Sequence, residues 1–273
     1  MPELPEVETI RRDLSAGLIG RKIVGVTVNW PKMVQIPSPE AFKQRLTGQT
    51  ISALDRRGKY LIFQLDSGEV LIIHLRMSGS LLLVRDAEAD RYARAVFVLD
   101  DDSRLVFRDT RKLGVMWLVE DAEAVVGKLG PEPLDDAFTT RDFAGRLRRH
   151  KAPIKAVLLD QSAIAGIGNM YADESLFAAG IHPRRRACDL SNDEIQRLFS
   201  GLRRVLKQAI ECCGASVSDY RRPGGARGTA QSAFRVAHQK GKPCPQCGTP
   251  IERIVIRQRG TCFCPRCQPE DKR

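Results

Sequence analysis

Leu4, Val7, Ile10, Leu14 and Leu18 recur at three- and four-residue intervals, while Arg11, Arg12 and Asp13 fall between them. That period places the apolar side chains on one face, so the chain opens with an amphipathic helix. Beyond Lys22 the pattern shortens to β-rich runs at Ile23–Val28, Tyr60–Leu65, Val70–Leu75, Leu81–Val84, Val96–Leu99, Leu105–Phe107 and Val115–Val119. Asp66-Ser67-Gly68 and Asp100-Asp101-Asp102-Ser103 supply the residues that hairpin turns require. An antiparallel sandwich or barrel is the architecture these runs predict. Gly130-Pro131-Glu132-Pro133 ends the β pattern, and helical spacing follows. Ile154–Gln161 reads as a short helix and Gly166-Ile167-Gly168 as a sharp turn. Asn169 is expected to cap a helix running to about Ala179. Ser191-Asn192-Asp193-Glu194 has the form of a capping box and opens a helix to about Cys213. Tyr220–Thr229, rich in Arg, Gly and Pro, reads as a mobile loop.

Charge adds a partner to this outline. Of a formal net charge of +11, nearly all lies from Arg203 to the end, where fifteen Lys/Arg stand against five Asp/Glu. A basic excess of this size favours a polyanion, and its concentration in one stretch suits a phosphate-binding face. The apolar runs are far shorter than the roughly 20 residues of a membrane span, and residues 1–20 carry charges throughout. A soluble, cytoplasmic protein without a membrane partner is expected.

Five of the eight cysteines fall in the last thirty residues. Cys244-Pro-Gln-Cys247 and Cys264-Pro-Arg-Cys267 are two CxxC knuckles sixteen residues apart, with Ile254, Val255 and Ile256 between them. Paired knuckles let four thiolates converge on one zinc, and a small hairpin with little core needs such a staple. Four protein ligands leave no open position, which makes the predicted Zn2+ structural. Cys262 is a spare thiol close to this set.

The amino end holds the candidate chemistry. Removal of Met1 would leave Pro2 with a free secondary amine, of which about a tenth or more is unprotonated at neutral pH for an ordinary α-amino pKa. Such an amine can attack a sugar anomeric carbon and form an iminium, with Glu3 beside it to move protons. A proline near a helix start is also a common structural choice.

The opening PELPEVETIRRDL, followed in order by RRGKYL, HLRMSGSL, RDTRKLG, LGPEPL, LLDQSAIAGIGNMYADESLF, CGTPI and RGTCFCPRCQ, resembles the formamidopyrimidine-DNA glycosylase family over essentially the whole chain. The resemblance implies an α+β multidomain protein: an N-terminal antiparallel β-sandwich with an N-terminal helix (residues 1–131), a helix-two-turns-helix DNA-binding domain (132–237) and a zinc-finger β-hairpin (238–273). It implies a monomeric bifunctional glycosylase and lyase acting on double-stranded DNA that contains oxidised purines. Leu4 separates the chain from the related endonuclease branch that prefers oxidised pyrimidines, which typically has Gly there. A non-catalytic damaged-DNA binding protein is the other alternative, opposed by the intact Pro2, Glu3 and Lys59.

By the same resemblance Pro2 is the nucleophile and Glu3 the acid/base. Lys59 and Arg259 assist at phosphates near the lesion, Asn169 holds a flanking phosphate, and Glu6 either supports the catalytic end or is a plain helix residue. His74, Lys151 and Lys155 are further phosphate candidates. Met77, Arg111 and Leu113 match the three positions that fill the hole left by an everted base, although the third is typically Phe. Other departures are Tyr92 and Arg94 where two His are usual, His150 for Lys, Ser218 for a basic residue, and Ala237-His238-Gln239 for Tyr-Gly-Arg.

Overall fold

The computed structural model describes residues 2–85 and 90–270, so Met1 lies outside the described residues. Contacts divide the chain into two compact units. Residues up to Lys128 together with Cys212–Thr229 form the first, and Leu129–Glu211 with the chain from Ala230 onward forms the second.

In the first unit α1 (Leu4–Leu18) buries Leu4, Val7, Ile10, Leu14 and Leu18 to 1% exposure or less, as their spacing predicts. Then follow β1 (Ile23–Val28), β2 (Val34–Ile36), α2 (Pro39–Leu46), β3 (Ile51–Arg57), β4 (Tyr60–Leu65), β5 (Val70–His74), β6 (Gly79–Val84), β7 (Ala93–Leu99), β8 (Arg104–Asp109), β9 (Val115–Val119) and α3 (Glu123–Val126). Two sheets, ordered β1-β7-β8-β6 and β2-β9-β5-β4-β3, share one core with Phe42, Phe63, Phe97 and Phe107 at its centre. The sandwich is antiparallel except where β2 runs parallel to β9. The β pattern did not reveal β2, β3 or α2. β2 has three residues, too few to show alternation, and β3 ends in the charged run Asp55-Arg56-Arg57. α2 did carry a signal, because Ser38 accepts the Ala41 N–H as N-cap and Pro39 takes the first helical position.

Residues 212–229 group by contact with this first unit. Within them, Tyr220–Thr229, expected as a mobile loop, is bonded at its first residues. Tyr220 enters the sandwich core, and its hydroxyl donates to the Cys213 carbonyl. Arg222 forks onto Asp13 with two bonds of 2.7 Å.

The second unit contains α4 (Thr140–Leu147), α5 (Ile154–Leu158), α6 (Asn169–Ala179), α7 (Asn192–Glu211) and the hairpin of β10 (Glu252–Ile256) and β11 (Arg259–Phe263). α7 opens with the predicted reciprocal box, in which Ser191 Oγ accepts the Glu194 N–H and Glu194 accepts the Ser191 N–H. α5 stops three residues before Gln161, because that side chain serves the next turn. It donates to the Leu159 and Ile167 carbonyls and accepts the Gly166 N–H. No helix among the described residues is long and apolar enough to cross a membrane.

Candidate active site and zinc centre

Pro2 and Glu3 stand at the N-terminus of α1, where the unpaired N–H groups create a positive field. Glu3 is the N-cap and is 2% exposed; its N–H donates to Glu6 Oε2 at 2.8 Å, and the two residues form a capping box. Glu6 is fully buried and uses its other oxygen to accept the Ala215 N–H at 2.7 Å. One carboxylate thus joins the candidate nucleophile's end of the helix to the 212–229 segment. Gly214 makes the approach possible: its φ is +76°, and a Cβ there would lie 2.9 Å from Glu6 Cγ and Oε1.

A second carboxylate places Lys59. Glu8 takes Arg11, Arg12 and Arg56 at 2.9, 2.7 and 3.2 Å. Burial would raise its carboxyl, but the hydrogen bonds from Arg11 and Arg12 and the nearby guanidinium charges outweigh this and hold it at about 2. Arg56 also donates to the carbonyl of Gly58, the positive-φ residue of the β3–β4 turn, at 2.9 Å. Lys59 follows directly and is buried. His74 pairs across β4 and β5 with Tyr60 and meets its ring edge-on at 4.5 Å. Its Nδ1 accepts the Arg76 N–H, and burial, then the charges of Arg76 and Lys59, push its pKa down to about 3. With Nδ1 occupied as an acceptor, Nε2–H is the donor left for a phosphate.

Met77 and Leu113 are large apolar side chains left 37% and 40% exposed, and Arg111 is exposed as well. Met77 lies in the β5–β6 connection and the other two in the β8–β9 connection. Sequence reasoning missed the residue between these connections, Asp109, which is 1% exposed.

In the second unit Asn169 is the first residue of α6, not its cap; Gly168 takes that position. The Asn169 side chain instead donates to the Gly260 carbonyl at 3.0 Å. Lys155, expected at a phosphate, has no exposed side-chain surface. Its ammonium lies 2.6 Å from Asp173 and donates to Thr261 Oγ1 and the Gly260 carbonyl at 2.8 and 3.2 Å. These bonds place it beneath the hairpin tip. Asp173 also accepts the Cys262 N–H. Burial raises its pKa to about 6 against the pull of Lys155. Arg259, next to Gly260, is exposed. The turn before it, Arg257-Gln258, has positive φ at both positions (44° and 62°) without a Gly or Asn, a backbone cost that concentrates at functional sites. Lys151 is exposed between α4 and α5. Glu174, also missed in sequence, accepts the N–H groups of Arg235, Val236 and Ala237 at 2.8–3.0 Å and so anchors the approach to the zinc hairpin.

The sulfur atoms of Cys244, Cys247, Cys264 and Cys267 all lie within 4.8 Å of one another, with separations of 3.8 Å for Cys244–Cys267 and 3.5 Å for Cys247–Cys264. A tetrahedron with Zn–S bonds near 2.3 Å has edges of about 3.8 Å, so the donor set fits one structural zinc. Cys262 stays outside the group. Gln268 fixes one knuckle by accepting the Cys264 N–H and donating to the Ile181 carbonyl.

Residues 1–116 match the formamidopyrimidine-DNA glycosylase N-terminal domain, 129–221 the formamidopyrimidine-DNA glycosylase H2TH domain, and 241–269 a zinc finger found in FPG and IleRS. The formamidopyrimidine-DNA glycosylase of Herpetosiphon aurantiacus is 48% identical over 273 residues, covering 98% of this chain and 100% of that protein. That of Chloroflexus aggregans is 49% identical, covering 98% of each. The chain belongs to the formamidopyrimidine-DNA glycosylase family. Among solved structures, the Thermus thermophilus protein has a TM-score of 0.91 at 40% identity, covering 99% of this chain and 100% of that one. A mutant of the Lactococcus lactis protein in complex with Fapy-dG-containing DNA has 0.92 at 37% identity, covering 98% of this chain and 100% of that one. As a family member the chain is a DNA glycosylase of base-excision repair, and its fold is the family's: β-sandwich, helix-two-turns-helix domain and zinc-finger hairpin.

Proposed function

We propose that this glycosylase excises oxidised purines, 8-oxoguanine and formamidopyrimidines, from double-stranded DNA and then cuts the strand, acting as a monomer in the cytoplasm. The unprotonated Pro2 amine attacks the sugar C1′ as the bond to the base breaks, and the sugar is held as a Schiff base. Glu3 assists ring opening and later proton transfer. Loss of the flanking phosphates by β- and δ-elimination follows, with Lys59 and Arg259 at the phosphates, His74, Lys151 and Asn169 as further contacts, and Met77, Arg111 and Leu113 in the vacated base position.

The observation that carries this reading is the construction around Pro2 and Glu3. They stand at a helix N-terminus whose positive end disfavours a protonated amine, beside a buried carboxylate and on a helix end fastened through Glu6. The Lactococcus relatives support the substrate class, since they were solved with Fapy-dG-containing DNA and with DNA containing an abasic site. The test is borohydride trapping on lesion DNA. Wild-type protein forms a covalent adduct that Pro2→Gly loses far more than a surface Lys→Ala control. Full trapping by protein that retains Met1, whose proline nitrogen is an amide, overturns the assignment.

A further inference from the structure

We propose that Asp109 is the positioning residue that assembles the three void-filling side chains before DNA arrives. The proposal rests on the reading of Met77, Arg111 and Leu113 given above. Asp109 closes β8 and is 1% exposed, so it is placed to act through its neighbours and not on DNA. Its Oδ1 accepts the Ser78 hydroxyl at 2.6 Å and the Arg111 N–H at 3.1 Å, and its Oδ2 accepts the Leu113 and Gly114 N–H groups, both at 2.7 Å. Its carbonyl takes Arg94 Nε at 2.7 Å.

These bonds join two separate connections. Ser78 follows Met77 between β5 and β6, whereas Arg111, Leu113 and Gly114 belong to the segment between β8 and β9. Each connection also contains a left-handed residue that its side chain does not favour, Arg76 at φ 55° and Lys112 at φ 58°. Such a backbone persists where surrounding bonds over-determine it, and the carboxylate supplies them. The apolar floor is equally confined. A Cβ on Gly114 would meet Phe107 Cζ at 2.4 Å, and one on Gly79 would meet the Leu75 carbonyl at 2.4 Å. An anion is the right occupant, because four donors converge on two oxygens and charge-assisted bonds are the strong ones. A carboxamide offers one acceptor oxygen and turns an NH2 group toward N–H groups that need an acceptor.

Preformed loops do not lose conformational entropy when they enter the duplex, so the wedge's energy is available to offset eversion. Asp109→Asn is therefore expected to slow single-turnover excision from a paired lesion duplex by 10- to 100-fold while slowing cleavage of a pre-formed abasic site much less. The loss disappears, to within about twofold, when Met77, Arg111 and Leu113 are already alanine. Ser78→Ala, which cuts only the tie to the Met77 connection, matches Met77→Ala and adds little to it. Amide exchange in the free protein needs no DNA and no catalysis: the Arg111, Leu113 and Gly114 amides exchange faster in Asp109→Asn, with the β5 amides unchanged. Unaltered exchange at those three amides, or an equal fold loss in the wedge-less background, overturns the proposal. Wild-type protein that neither excises nor nicks would instead sink the functional reading, with the exchange result still deciding the role of Asp109.

Discussion

Lys155→Met removes the ammonium of the pair enclosed beneath the hairpin tip and keeps most of its volume. Breaking a buried pair from one side costs about 3–5 kcal/mol, because the remaining charge is left without compensation. Here the group left behind is Asp173, whose carboxyl burial already raises to about 6 beside Lys155 and which must then stay charged without a partner or take up a proton, while Thr261 Oγ1 and the Gly260 carbonyl lose a donor in the same step. The damage should centre on the β10–β11 tip, where Gly260 also receives Asn169 and where Arg259 begins its strand. Lys155→Met/Asp173→Asn removes both charges while an amide oxygen can still accept the Cys262 N–H. The double variant should regain more than half of the lost stability. Trp30 and Trp117 both lie in the first unit, so the second is followed by circular dichroism and by release of zinc to a chromogenic chelator. DNA affinity against salt then separates the two roles open to Lys155. Each neutralised phosphate contributes about 0.9 to the salt slope. A lysine that held a phosphate would leave the double variant as deficient as the single one. A lysine that supports the tip lets the slope recover in the double variant, although the lysine itself is still missing. Equal deficits in the two would refute the supporting role.

Three further outcomes are expected. Cys247→Ser, or removal of zinc by chelation, should loosen the terminal hairpin, misplace Arg259 and weaken DNA binding while tryptophan-detected unfolding of the sandwich is unchanged; a metal analysis without zinc in freshly purified active protein would contradict this. Arg111→Ala should slow excision from a paired duplex much more than cleavage at a pre-formed abasic site, and Leu113→Phe should leave the chemistry intact and strengthen binding to the bent duplex; equal losses on both substrates for Arg111→Ala would remove it from the void-filling set. His74, held neutral down to about pH 3, takes up a proton near 6.5 only when unfolded. Its contribution is whole above pH 6.5 and is lost on acidification toward 3, at up to about 1.4 kcal/mol per pH unit. His74→Gln should flatten the stability profile of the first unit between those limits, and an unchanged slope would show that other groups carry it.

What the sequence made legible, and what it hid, follows from the range of the interactions concerned. The face of α1, the hairpin turns, the α7 capping box and the cysteine knuckles are written in spacings of two to four residues, and each appears in the fold where the spacing puts it. Most of the residues that align the candidate site have partners far along the chain, and no local period marks them. Glu6 reaches Ala215, Lys155 reaches Thr261, Asp173 reaches Cys262 and Glu174 reaches Val236. Lys155 shows the difference: the resemblance makes it a phosphate candidate, whereas the pairing that encloses it comes from a helix and a hairpin that only the tertiary fold brings together. Asn169 differs from expectation for the same reason: its position at a helix start suggests a local cap, whereas its amide crosses to Gly260. Residues that touch DNA need the right charge or shape at an exposed position, and a motif can record that. Residues that hold those groups still need a partner at one distance in three dimensions, so buried carboxylates such as Asp109, Asp173 and Glu174 are where the structure adds most to the sequence. Their burial makes a prediction of its own kind. Substitutions there should change how well the exposed residues are aligned, and rescue by a second change at the partner should distinguish them from residues that meet the substrate directly.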